Sequence, residues 1–166
     1  MSSSRAYSGT LAKDLIRVEV GSVSYALPVL CIREIVNPLS IVELPRERDF
    51  VLGVAEYREE VVAVVDLRSL FNLPRQAPTR STKWVIVQSS NRPVAVVVDA
   101  VLDVFSSVEH GERNVPVLDE RHRERGIKSA YRHADGLVFL LNPDRLAEPA
   151  MELGSGELSM FPSEGP

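Results

Sequence analysis

The chain has 166 residues, 45% hydrophobic and 25% charged, with a formal net charge of −4, a composition that suits one soluble domain or two small halves sharing a core. No apolar run approaches the ~20 residues of a membrane span, and Met1-Ser2-Ser3-Ser4-Arg5 lacks the apolar segment of a secretory signal, so a cytoplasmic protein without direct membrane insertion is expected. Glu148, Glu152, Glu157 and Glu164, with no Lys or Arg among residues 147–166, account for all of the −4 and leave a neutral body, which offers nucleic acid no broad electrostatic footprint.

Residues 1–10 are Ser-rich, polar and aperiodic, and are expected to be a disordered lead-in. From Leu11 the pattern is strand-like. Ile16, Val18 and Val20 alternate with Arg17 and Glu19, Gly21-Ser22 interrupts, and Val23, Tyr25 and Leu27 alternate again, which predicts a hairpin. Pro28 ends the second strand or places it at an edge. Residues 29–36 are apolar around Arg33-Glu34 and too short to separate helix from strand. Cys31, the sole cysteine, sits among Val29, Leu30 and Ile32 and reads as a small buried hydrophobe. Residues 51–54 and 61–65 read as buried strands joined by a polar hairpin loop, Glu56-Tyr57-Arg58-Glu59-Glu60. Asp66 is placed to N-cap one or two helical turns over 67–71. The stretch 74–82, with two prolines, is the best internal linker. Strands resume at 83–88, 94–98 and 101–105. Residues 119–133 mix Arg121, Arg123, Arg125, Lys128 and Arg132 with Asp119, Glu120 and Glu124, and read as a solvated arginine-rich loop. A last apolar strand spans 137–141, and Asn142-Pro143-Asp144 opens a short closing helix to about Ala147. Residues 149–166 read as an acidic flexible tail.

Eight or so short strands without regular strand–helix alternation disfavour a parallel α/β fold and favour an antiparallel barrel or sandwich, here two small barrels joined by the linker near 74–82. Catalytic constellations are lacking. His110, His122 and His133 have no metal-helix spacing, and there is no G-x-S-x-G elbow, P-loop or G-x-G-x-x-G. Asp66, Asp99 and Asp103 follow valine-rich runs and read as strand-end turns and caps; a hydrolase would need them in one pocket. No metal and no cofactor are expected. A β-barrel nucleic-acid-binding module remains as an alternative function, against the neutral charge of the body.

Four blocks in one order carry a resemblance. Phe50-Val51-Leu52-Gly53-Val54, a polar hairpin, and Val61-Val62-Ala63-Val64-Val65-Asp66-Leu67-Arg68 resemble the heart of the CheW-like domain, where F-I-x-G-V-x-N-L-R-G-x-I-V-P-I-V-D-L-R is typical. Upstream, Tyr25-Ala26-Leu27-Pro28 through Ile32-Arg33-Glu34-Ile35 is similar to Y-G-I-(D/P)…V-x-E-I. Downstream, residues 95–104 are similar to G-I-V-V-D-G-V-x-D-V, and 137–142 to the family's closing strand. The resemblance covers residues 11–148. It implies a mainly all-β fold of two intertwined five-stranded SH3-like barrels with a shared core and short helices. It also implies a non-catalytic, cofactor-free adaptor that couples chemoreceptors to the histidine kinase CheA in bacterial chemosensory arrays.

Within the family, one barrel face docks on the kinase's regulatory domain and a groove near the barrel junction takes the receptor's cytoplasmic signalling tip; other CheW-like proteins are further partners. Carried over residue by residue, the resemblance implies receptor binding at Arg58, Ala95, Val98 and Val101, and kinase binding at Ile32, Glu34, Gly53 and Glu59, with Arg58 and Glu34 as an ion-paired couple. This chain departs from the family where Glu56-Tyr57-Arg58-Glu59 replaces Asn-Leu-Arg-Gly, where Ala63 replaces Pro and Ala100 replaces Gly, and in the segment Ser129-Ala130-Tyr131-Arg132-His133-Ala134. Losing the hairpin Gly removes a residue suited to positive φ and adds a carboxylate where a kinase surface would approach, which implies an accessory form with weakened kinase binding.

Overall fold

The computed structural model describes residues 13–45, 48–90, 92–110, 112–113, 120–133 and 136–148. The expected lead-in and tail lie outside the described residues, as does the side chain of His110.

Valine-rich runs become strands whose two faces are both covered. The strands are β1 (Asp14–Val20), β2 (Val23–Pro28), β3 (Ile32–Val36), β4 (Val51–Tyr57), β5 (Glu60–Asp66), β6 (Lys83–Gln88), β7 (Pro93–Val98), β8 (Ala100–Ser106), β9 (Glu112–Arg113), β10 (Ile127–His133) and β11 (Gly136–Leu141). A 3-10 turn, Val29–Cys31, precedes β3, and the short helices are α1 (Leu67–Leu70), α2 (Ser107–His110), α3 (Glu120–Glu124) and a closing helix over 143–148. One sheet runs β3-β6-β7-β5-β4 and the other β8-β1-β2-β11-β10-β9. Without the two-residue β9, each sheet has five strands, as the resemblance implies.

Three apolar clusters follow from strand alternation. Ile16, Val18 and Leu27 of one sheet meet Val65, Val85, Val96 and Val98 of the other in a shared central core. The alternate residues Val62, Val64, Trp84, Ile86 and Ala95 fill the other face of the five-stranded sheet. Leu15, Ala26, Phe105, Val138 and Leu140 do the same for the six-stranded sheet. A strand buried on both faces loses the in-out alternation of hydropathy, which is why residues 62–65 and 94–98 are apolar throughout.

Several expectations need correction. The ladders are mixed: β5 pairs β7 in parallel, and β11 pairs β2 in parallel. Residues 119–133 are not one loop, because α3 and β10 lie there. The stretch 74–82 carries no helix or strand, yet it joins α1 to β6 and so lies between two strands of the same sheet. The chain changes sheets instead between Pro28 and Ile32 and at Asp99. Pro28 closes β2, which is flanked by β1 and β11 and is therefore not an edge. Asp66 occupies the N-cap of α1 without capping a backbone N–H; its carboxylate accepts the Ser69 hydroxyl at 2.8 Å. Asn142 does cap, accepting the Asp144 backbone N–H at 3.0 Å. After α1, Asn72 adopts φ 63° and the Leu73 and Asn72 amides donate to Arg68 O and Ser69 O, a Schellman ending.

Candidate functional site

Polar groups converge at the rim of the five-stranded sheet. Strands β3 and β4 stand at opposite ends of its ladder, yet their side chains meet. Glu34 Oε1 accepts from the Tyr57 hydroxyl at 2.7 Å and from Arg58 Nε at 2.8 Å. Beside them Arg33 Nη1 donates to Glu60 Oε2 at 2.9 Å. The Arg33 and Arg58 guanidinium carbons lie 5.7 and 5.6 Å from the centroid of the Tyr57 ring, within cation–π range. Tyr57 is buried, so its ring anchors the group while the charges stay at the surface. The Arg58 side chain is 65% exposed and that of Glu34 35%, so the expected ion pair is present and is half-buried at the glutamate alone. Hydrogen bonds from Arg58 and then Tyr57 hold the Glu34 carboxyl below its ordinary range, and the same contacts raise the Arg58 guanidinium.

The turn that presents Arg58 is strained in a defined way. Tyr57 pairs with Glu60 across a two-residue loop, and both loop residues have positive φ, 48° at Arg58 and 67° at Glu59. This is the backbone of a type I′ hairpin, which favours Asn-Gly, built here from residues that resist φ > 0. Glu59 is exposed and forms no hydrogen bond or ion pair among the described residues, whereas Glu60 is paired with Arg33.

The other residues singled out in the sequence fall in different places. Ala95 and Val98 are fully buried, Ala95 in the cluster on the other face of the five-stranded sheet and Val98 in the central core, so neither side chain lies at the surface. Their strand is covered on both faces, which the apolar run could not distinguish from a surface groove. Gly53 is buried too. It has φ 149°, and a Cβ there would collide with the backbone carbonyl of Val42, which forms a bridge with Val54. The missing side chain of Gly53 thus admits the 41–42 segment against β4. Ile32 and Val101 are half-buried against the central core. Sequence reasoning missed Arg33, Tyr57 and Glu60 as members of the rim cluster. The signal was the alternation Ala55, Tyr57 on β4, which turns the ring inward beneath Glu34.

The three aspartates that a hydrolytic pocket would need together are each held by separate partners. Asp66 binds Ser69. Asp99 Oδ2 accepts from Arg68 Nη1 at 2.6 Å and from the Gly21 backbone N–H at 2.8 Å, fastening the end of α1 and the β1–β2 turn to the point where the chain changes sheets. Asp103 takes a bidentate pair from Arg17, 2.9 and 2.8 Å, and lies 3.3 Å from His133 Nε2. The Arg17 hydrogen bonds hold the Asp103 carboxyl below its ordinary value. Phe105 stacks on His133 with centroids 4.3 Å apart, linking β8 to β10 across the curl of the second sheet. No group of three or more His, Cys, Asp or Glu among the described residues is arranged to hold a metal ion. No helix among them is long and apolar enough to cross a membrane.

Comparison with known proteins agrees with this architecture. The CheW-like domain model matches residues 14–150. The chain is similar to the chemotaxis protein CheW of Helicobacter pylori, 29% identical over 129 residues that cover 76% of each chain. It is similar to CheW of Rhizobium meliloti, 26% identical over 118 residues covering 69% of this chain and 76% of that one. The crystal structure of the scaffolding protein TtCheW from Thermoanaerobacter tengcongensis superposes with a TM-score of 0.73 at 20% identity, covering 82% of this chain and 93% of that one, and shares the fold. This membership gives no support to a nucleic-acid-binding barrel. The chain belongs to the CheW-like domain family and is a non-catalytic coupling adaptor of chemotaxis signalling.

Proposed function

We propose that this adaptor joins a chemoreceptor's cytoplasmic signalling tip to a chemosensory array, as an accessory form whose docking on the CheA regulatory domain is weakened. It would be a cytoplasmic protein recruited to receptor arrays, with other CheW-like proteins as further partners. The observation that carries the reading is the rim formed by Glu34, Tyr57 and Arg58, with the exposed Glu59 carboxylate, unpaired among the described residues, at its tip. Arg58 and the half-buried Val101 are the candidates for receptor contact, and Ile32, Glu34 and Glu59 for the kinase-facing surface. Ala95, Val98 and Gly53 are withdrawn from direct contact by their burial and support these surfaces from beneath.

The weakening has a physical cause. A carboxylate at the hairpin tip that meets no cation in a docked complex loses its hydration without compensation, a penalty of a few kcal/mol, about a hundredfold in affinity. The test is a titration of the chain against a CheA regulatory domain and a receptor signalling tip from the same cell, repeated with Arg58→Ala and Glu59→Gly. Binding to the receptor tip alone, lost with Arg58→Ala, and kinase binding gained with Glu59→Gly support the accessory form. Tight binding of the unmodified chain to both partners would make it an ordinary coupler and sink the role given to Glu59.

A further inference from the structure

A basic strip that the docking surfaces above do not use lies along α3 and β10. Residues 120–133 hold Arg121, Arg123, Arg125, Lys128 and Arg132 against Glu120 and Glu124, a local excess of cations in a body that is neutral overall. Arg125 is engaged: its guanidinium nitrogens reach the side-chain oxygen of Asn72 at 2.9 and 3.2 Å, with the Asn72 amide turned to present that oxygen. Arg121, Arg123, Lys128 and Arg132 are exposed and have no ion-pair partner among the described residues. On the same sheet face Arg132 is paired across the strands with Leu137, a large apolar side chain left 46% exposed.

The closing helix delivers the chain beside this strip. The Asn142 amide donates to Gly126 O at 2.7 Å, and Gly126, in the turn between α3 and β10, packs so closely on the helix that a Cβ there would lie 3.2 Å from Leu146 Cδ2. Leu146 and Ala147 are buried in the central core, which fixes where the following residues leave the body. Those residues, 149–166, contain Glu152, Glu157 and Glu164, no Lys or Arg, and the apolar residues Leu153, Leu158, Met160 and Phe161. From Glu148 to Glu157 the chain spans up to about 30 Å when extended, enough to run the length of a five-residue helix and a seven-residue strand.

We propose that the strip on α3 and β10 is the docking surface for the chain's own acidic segment, residues 149–166. The carboxylates of Glu152 and Glu157 meet Arg121, Arg123 and Lys128, and the apolar residues that follow cover Leu137 beside Arg132. Each exposed ion pair is weak on its own, but tethering places the acids at millimolar effective concentration, so several weak pairs suffice for occupancy at low salt. A docked segment cancels the local positive charge and hides the strip from phosphate groups and from acidic partners. This inference is independent of the reading of the Glu34–Arg58 rim.

The test uses the full chain with a nitroxide on Ser155→Cys in a Cys31→Ala background, and reads the relaxation of backbone amides by NMR. Docking predicts that amides of residues 120–133 lose at least about half their intensity at about 0.01 M salt and recover it at about 1 M, where charges are screened within ~3 Å. Changing Glu152, Glu157 and Glu164 together to Gln should restore the signals at low salt. Unaltered signals at low salt, strongest broadening outside residues 120–133, or broadening that appears only when labelled and unlabelled copies are mixed would each overturn the proposal. Hydrogen exchange on the chain without engineered cysteines provides a second arm. There the amides of 121–128 should exchange at least about threefold faster in the triple Gln variant than in the unmodified chain at low salt, and equal rates would count against docking.

Discussion

Glu34, on β3, and Arg58, in the turn that ends β4, meet at 2.8 Å although their strands stand at opposite ends of one sheet. Their contact closes the curl of that sheet by side chains rather than by a ladder of backbone hydrogen bonds. Tyr57 makes the closure directional, since its buried ring supports both guanidinium groups while its hydroxyl reaches Glu34. The second sheet closes in a comparable way, where Phe105 on β8 stacks on His133 of β10.

Acid should loosen the rim. Because the Glu34 carboxyl is lowered in the folded chain below its ordinary 4.5, its contribution is complete above that value and disappears as the pH falls through the lowered one. NMR titration of the Glu34 carboxyl should give a midpoint below 4.5, returning toward it in Arg58→Ala. An unchanged midpoint in that variant would remove Arg58 as the principal cause.

Relieving the hairpin should stabilise the protein. Glu59 holds φ 67° with a Cβ, and Gly adopts that conformation without the steric penalty. Glu59→Gly is expected to raise stability by about 1 kcal/mol, read from the urea midpoint at constant slope. A lowered midpoint would mean that the turn gains more from the Glu59 side chain than it loses in strain.

At Gly53 the opposite holds. A methyl group there meets the Val42 carbonyl and lies 2.9 Å from Ile41 Cγ2, at φ 149°. Gly53→Ala should cost at least about 2 kcal/mol in urea denaturation and should speed hydrogen exchange at the Val42 and Val54 amides, which donate to each other's carbonyls. Normal protection at those amides would show that the segment adapts.

Arg68→Ala should be costly for its position. The Arg68 and Asp99 side chains are 19% and 24% exposed, and removing the guanidinium leaves the Asp99 carboxylate with the Gly21 amide as its remaining donor among the described residues. A loss of roughly 2 kcal/mol is expected, with Arg68→Lys recovering part of it, both measured by urea denaturation. Equal stability of the Ala variant and the unmodified chain would show that water replaces the guanidinium without penalty.

The fold was legible where burial dictated composition. Residues 62–65 and 94–98 announced themselves as strands because both of their faces are covered. Strand β10 hid for the converse reason. Its exposed Lys128 and Arg132 flank Ala130, and a register shift between Ile127 and Ser129 breaks the alternation that would have marked it. The Glu34–Arg58 pair was readable from family resemblance, whereas Ala95 and Val98, which the same resemblance assigned to a receptor groove, have side chains buried in the core, a placement that an apolar run and a resemblance leave open.

The exchange of sheets at 28–32 and at Asp99 bears on how the chain is made. Every strand of the five-stranded sheet lies between Ile32 and Val98, so that sheet is complete once the middle of the chain has been synthesised. The hairpin β1–β2 is made before that sheet and finds its neighbours β8 and β11 after it, across separations of tens of residues. Until then its apolar face, Ile16, Val18 and Leu27, has half of the central core to rest on and no sheet to complete. Late, long-range pairing of this kind slows folding and exposes strand edges. Cutting the chain at 74–82 would therefore yield no self-sufficient half, since the first fragment would hold a hairpin without its sheet and the second a sheet without its first two strands.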